Sequence, residues 1–128
     1  MNKMIADHME DGFLENIISM FREDKSLFQL LGELLSDERS RVRIGVVALV
    51  ESLQSEEACR DSIQAAIPGI AILLDDPNPV IRGDAAYLLG IIGHPSALQY
   101  LKNALNDEND LVRESVSDAI GEIQASLN

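Results

Sequence analysis

One pattern, written three times, constrains this chain more than anything else in it. Residues 74–92 read LDDPNPVIRGDAAYLLGII, residues 35–53 read LSDERSRVRIGVVALVESL, and residues 105–123 read LNDENDLVRESVSDAIGEI. Superimposed, the copies share Asp37, Asp76 and Asp107. Six positions later they share Arg43, Arg82 and Arg113, each preceded by Val42, Ile81 or Val112. The offsets between copies are 39 and 31 residues, a spacing that marks arrays of helical repeats.

Five apolar columns run through the three copies: Val42, Ile81, Val112; Val46, Ala85, Val116; Leu49, Leu88, Ala119; Val50, Leu89, Ile120; and Leu53, Ile92, Ile123. Steps of four, three, one and three put each set on one helical face. A lone hairpin cannot bury that face, so neighbouring hairpins must cover it. No strand pattern competes. The expected fold is all-α: a short right-handed α-solenoid of three helical hairpins behind an N-terminal capping helix, seven helices in one domain.

Composition agrees. Apolar residues make up 46% of the 128, yet aromatics are 4% and Trp is absent. The core must therefore be Leu, Ile, Val and Ala. Ten Lys and Arg stand against 22 Asp and Glu, a formal charge of −12. Such a surface repels nucleic acid and anionic membrane. Cys59 is the only cysteine, so no internal disulfide is possible, and its place in a helical pattern reads as a small apolar residue. The first residues carry no secretory signal, and no run of about 20 apolar residues exists to span a bilayer. A cytoplasmic location is the expectation.

In chain order, residues 1–10 read as polar and irregular, and 11–22 as the capping helix, with Phe13, Leu14, Ile17, Ile18 and Phe21 on one stripe. Repeat 1 spans 25–54, with Ser26, behind Asp24, capping its first helix. Repeat 2 spans 55–93. Its first helix starts at the cap Ser55 and is interrupted at Pro68-Gly69, since proline removes a backbone donor. Asn78-Pro79 is the strongest helix start in the chain. Gly93 ends that helix and His94-Pro95 prevents its continuation. Repeat 3 spans 94–126, with Asn109 capping the last helix.

The Asp–Arg spacing has a structural meaning. Each aspartate lies in a turn, where it satisfies the N–H groups of the helix that follows. Each arginine lies one turn into that helix, with five donors able to reach the turn aspartate of its own or an adjacent repeat. Asp37, Arg43, Asp76, Arg82, Asp107 and Arg113 are thus expected to form a ladder rather than an active site.

The L-x-D-x-x-x-x-V-R-x-x-A-A-x-x-L-G pattern, best seen in Leu74–Gly90, resembles a HEAT repeat, and the short third spacing resembles the HEAT-like, armadillo-like repeats of the phycobilisome-lyase type. The likeness covers about residues 25–125. Families of this kind often carry a proline eight residues before the turn aspartate. Pro68 stands there, while Gln29 and Gln99 take the matching places, and Glu51 replaces the glycine seen at Gly90 and Gly121.

The resemblance implies that the second helix of each hairpin lines a concave face. The positions opposite the core columns include Ile44 and Ala48 in repeat 1; Val80, Gly83, Tyr87 and Ile91 in repeat 2; and Leu111, Glu114, Asp118 and Glu122 in repeat 3. Ile44, Ala48, Val80, Tyr87, Ile91, Leu111 and Asp118 are the candidate partner-binding residues, because apolar groups outside a core often mark contacts. The other reading has Tyr87 and Ile91 packing on a neighbouring helix. The polar last helix reads as a solvated end cap or as an acidic edge for a basic partner.

His8 and His94 have no ligand partners at metal-site spacing, and neither a phosphate loop nor a nucleophile motif is present. The expectation is therefore a non-catalytic protein-interaction or scaffold module without metal or cofactor, a monomer binding another protein. The alternatives are a bilin lyase or its accessory subunit holding a tetrapyrrole, and a homodimer formed through the Phe-rich N-terminal end.

Overall fold

The computed structural model describes residues 1–127, and among them the fold is all-α. Nine α-helices replace the seven expected: α1 (Asn2–Glu10), α2 (Leu14–Glu23), α3 (Leu31–Leu35), α4 (Ser40–Leu53), α5 (Glu57–Ala65), α6 (Ile67–Ala71), α7 (Pro79–Ile92), α8 (Leu98–Asn103) and α9 (Asp110–Ser126). Three 3₁₀ segments, Lys25–Leu30, Ile72–Asp75 and Pro95–Ala97, extend the short helices. The chain divides into two compact units, one ending at Ala66 and the other beginning at Ile67.

In the first unit α4 is the central element, with α1, α2, α3 and α5 packed on it. Residues 1–10 are not irregular, as their polarity suggests. Ile5, Ala6 and Met9 form a short stripe that is buried, and Met9 lies so close to α4 that a Cβ on Gly45 would stand 3.3 Å from its sulfur. Tertiary burial stabilises a helix that is too short to hold by itself in water. Phe13 also departs from expectation. It sits just ahead of α2, exposed, while Phe21 and Phe28 meet edge to face in the core at 5.2 Å.

Two caps fall one or two residues from the expected places. The 3₁₀ segment at Lys25 is capped by Asp24, which accepts from the Ser26 amide at 3.1 Å. Glu56 rather than Ser55 precedes α5, and its carboxylate takes a bidentate pair from Arg22 instead of capping.

In the second unit α7 packs against α6, the 72–75 segment and α9, and α8 packs on α9. The long first helix of repeat 2 is broken, with α5 ending at Ala65 and α6 starting at Ile67, one residue before Pro68. Asn78 accepts from the Val80 amide at 2.9 Å, with Pro79 in the first helical turn. Gly93 closes α7 at φ 73°, a left-handed conformation that costs glycine little. Asn109 accepts from both Leu111 and Val112 at the start of α9. Thirteen of the fifteen column residues are buried; Ile92 and Ile120 are half-buried. The helices are thus held by one aliphatic interior in each unit, as the periodicity requires.

Candidate functional site

The turn aspartates and helix arginines share one geometry in all three repeats. Each aspartate accepts from the amide two residues on: Asp37 from Arg39 at 2.9 Å, Asp76 from Asn78 at 2.8 Å, Asp107 from Asn109 at 2.9 Å. Each arginine donates to its own turn's carbonyl: Arg43 to Asp37 at 2.8 Å, Arg82 to Asp76 at 2.8 Å, Arg113 to Asp107 at 2.6 Å. The Arg82 rung crosses between repeats. Arg82, only 7% exposed, forks onto the Asp107 carboxylate at 2.9 and 3.2 Å. Burial pushes the Asp107 carboxyl up, but the Asn109 amide and the Arg82 guanidinium outweigh it and hold the group below its ordinary value. Asp37 is lowered chiefly by the Arg39 side chain, which also spans to Asp7 at 2.9 Å. With both charges of the central rung satisfied inside the fold, this geometry holds the second unit's hairpins in register.

In the second unit a cavity of about 270 Å³ borders Asp107 and Tyr100, and two larger ones lie between α7 and α9. These helices run in the same direction and touch closely: a Cβ on Gly90 would stand 3.0 Å from both Cα and Cβ of Ala119. Small residues at the crossing let two stripes rise on either side. Val80, Asp84, Tyr87 and Ile91 project from α7; Leu111, Ser115, Asp118 and Glu122 project from α9, at steps of four, three and four. The space between them forms two adjoining pockets that share Tyr87 and Ser115.

The pocket toward the helix C-termini measures about 620 Å³ and is lined by Tyr87, Ile91, Ser115, Ser117, Asp118 and Glu122. Asp118 and Glu122 lie one helical turn apart, and neither has an ion-pair partner among the described residues. Their mutual repulsion, worth roughly 0.2–0.5 kcal/mol at this spacing, would be relieved by a cation. The pocket toward the N-termini measures about 390 Å³ and is lined by Pro79, Val80, Gly83, Tyr87, Leu111 and Val112, among others. Its rim is apolar and exposed: Val80 at 53%, Tyr87 at 56%, Leu111 at 73%.

Of the seven sequence candidates, the structure brings Val80, Tyr87, Ile91, Leu111 and Asp118 to this groove. Ile44, 67% exposed, and the half-buried Ala48 belong to α4 of the first unit. Tyr87 does not pack into the core, and Ile91 is half-buried at the groove wall. Ser115 takes the place expected for Glu114: the step from Leu111 is four residues, not three. Ser115 and Ser117, which the sequence marks only as part of a polar last helix, also line the groove. No group of three or more His, Cys, Asp or Glu able to hold a metal ion assembles among the described residues.

An all-α chain of repeated hairpins, with in-phase Asp–Arg turns and a groove on its second helices, defines a class of helical repeat proteins. The model of the family described as HEAT repeats matches residues 66–126, and that stretch belongs to it. Curated relatives are longer. A deoxyhypusine hydroxylase of Eremothecium gossypii is 29% identical over 97 residues, covering 73% of this chain and 28% of its own. A deoxyhypusine hydroxylase of Aspergillus clavatus is 32% identical over 60 residues, 45% of this chain and 18% of its own. An epoxyqueuosine reductase of Bacillus subtilis is 45% identical over 47 residues, 36% of this chain and 12% of its own. The chain thus spans little more than a quarter of the length of the relatives it matches, or less.

These names correct the functional expectation. All three relatives are named as enzymes, so the reading of a non-catalytic scaffold, and of a chain with no part in an enzyme, is overturned. The bilin-lyase alternative finds no support either, since none of the three carries such a name. The reason is physical. The columns that betray a HEAT repeat report packing, and packing is the same whether or not the stack serves a reaction.

Proposed function

We propose that this chain serves an enzyme, as a HEAT-repeat unit that holds a cationic substrate group in the groove between α7 and α9. The observation that carries this reading is the pairing of two carboxylates without an ion-pair partner among the described residues, Asp118 and Glu122, with the exposed face of Tyr87 across one cleft of substrate size. Carboxylates supply charge, and an aromatic face adds attraction for a cation of about 0.5–1 kcal/mol at an exposed site. The formal charge of −12 raises the local concentration of cations and speeds their encounter. The kinship with named enzymes supports a role in catalysis. Two of the three relatives name deoxyhypusine, which makes it the first compound to test. A cytoplasmic setting fits this reading: Cys59 is a buried free thiol, and no helix among the described residues is long and apolar enough to cross a membrane.

Calorimetric titration with deoxyhypusine, with epoxyqueuosine as comparison, tests the proposal. The expected result is deoxyhypusine binding that weakens about tenfold in the Asp118→Asn/Glu122→Gln variant, about 1.4 kcal/mol, and that falls as salt is added. Absence of binding by the unaltered chain, or equal binding by the variant, overturns it.

A further inference from the structure

The apolar half of the groove is not needed to hold a cation, yet it adjoins the acidic half and shares Tyr87 and Ser115 with it. We propose that the two halves act together on an extended polypeptide segment, reading a bulky aliphatic side chain at Val80 and Leu111 and a basic side chain at Asp118 and Glu122. The inference rests on the cation-holding reading above and names the class of its substrate.

Charge selects the occupant. A nucleic acid would bring phosphates to a chain of −12, and a second copy would bring 22 more acidic residues against ten basic ones. A basic peptide is attracted. Geometry sets the spacing. Leu111 and Asp118 are seven residues apart on one face of α9, roughly 10 Å at 1.5 Å per residue. In a polyproline-II conformation residues i and i+3 share a face and lie about 9 Å apart. A fully pleated strand would turn i+3 to the opposite side. The ring of Tyr87, standing between the two pockets, offers the aromatic wall that such extended segments commonly dock against. Gly83 keeps the floor open beside it: a Cβ there would meet only the Ser115 hydroxyl, at 3.8 Å.

Fluorescence anisotropy with proline-rich synthetic peptides tests this. One pair carries Lys and Leu three positions apart, in the two possible orders; the controls replace Leu with Ser, or Lys with Gln. Binding is expected for one Lys/Leu order, at least tenfold tighter than for either control. Leu111→Ser is expected to reduce that peptide to the level of the Leu-lacking control and to leave that control unchanged. Leu111 is exposed, so a thermal melt confirms that the variant is folded. If the Lys/Leu and Lys-only peptides bind equally, the bipartite reading is overturned and the cation site stands. If no Lys-bearing peptide binds, the cation site fails and this inference fails with it.

Discussion

Arg82 shows what a single residue does in this fold. Its guanidinium is buried, forked onto Asp107 and bonded to the Asp76 carbonyl. Removing one partner of such a pair strands the other charge in the interior. Arg82→Ala is therefore expected to cost about 3 kcal/mol in chemical denaturation. Asp107 gives the pair a pH signature. Its folded value lies below the ordinary 3.8, so its contribution is complete above that value and is lost as pH falls through the lower folded one. Asp107→Asn should lower stability at neutral pH and flatten the acid limb of the stability profile below pH about 4. Two glycines make a sharper contrast. A Cβ on Gly90 meets the backbone and side chain of Ala119, while one on Gly121 meets nothing within 4 Å. Gly90→Ala should destabilise by roughly 1–3 kcal/mol through overpacking. Gly121→Ala should stabilise by up to about 1 kcal/mol through helix propensity. Opposite shifts in melting temperature would confirm this, and shifts of the same sign would not.

At the scale of elements, the second helices were the most legible part of the chain. Five in-phase columns placed α4, α7 and α9, and their caps Asn78 and Asn109 stand where turn chemistry puts them. The first helices were harder to read. Lys25–Leu30 and Ile72–Asp75 are 3₁₀ rather than α, and runs of six and four residues are too short for apolar spacing to distinguish the two. Helix α1 was missed because its four apolar residues, Met4, Ile5, Ala6 and Met9, span too few turns to set a pattern among polar ones; its order comes from packing on α4. The groove was half legible. Apolar residues off the core face, Val80, Tyr87 and Leu111, announced themselves, but Ser115 and the depth of the cleft depend on the close approach at Gly90. The two faces of α7 should therefore respond differently. Leu88→Ala, fully buried, is expected to lose roughly 2–5 kcal/mol. Tyr87→Ala, on the groove side, should shift stability by less than about 0.5 kcal/mol, and thermal melts of the two side by side check this.

On the scale of the whole molecule, the repeat signature and the chemistry are separate layers of information. In-phase columns define HEAT packing over 66–126, and enzymes named for a hydroxylation and for a reduction both share stretches with this chain. What such different reactions can share is a stable frame on which a groove is displayed. In this chain that groove joins an aromatic ring, the Asp118 and Glu122 carboxylates and an apolar rim. The most direct test is a backbone-amide NMR titration of the chain with deoxyhypusine. The account predicts concentration-dependent shifts confined to α7 and α9 around Tyr87, Ile91, Ser115, Asp118 and Glu122. Shifts centred on any other helix, or none at all, would contradict it.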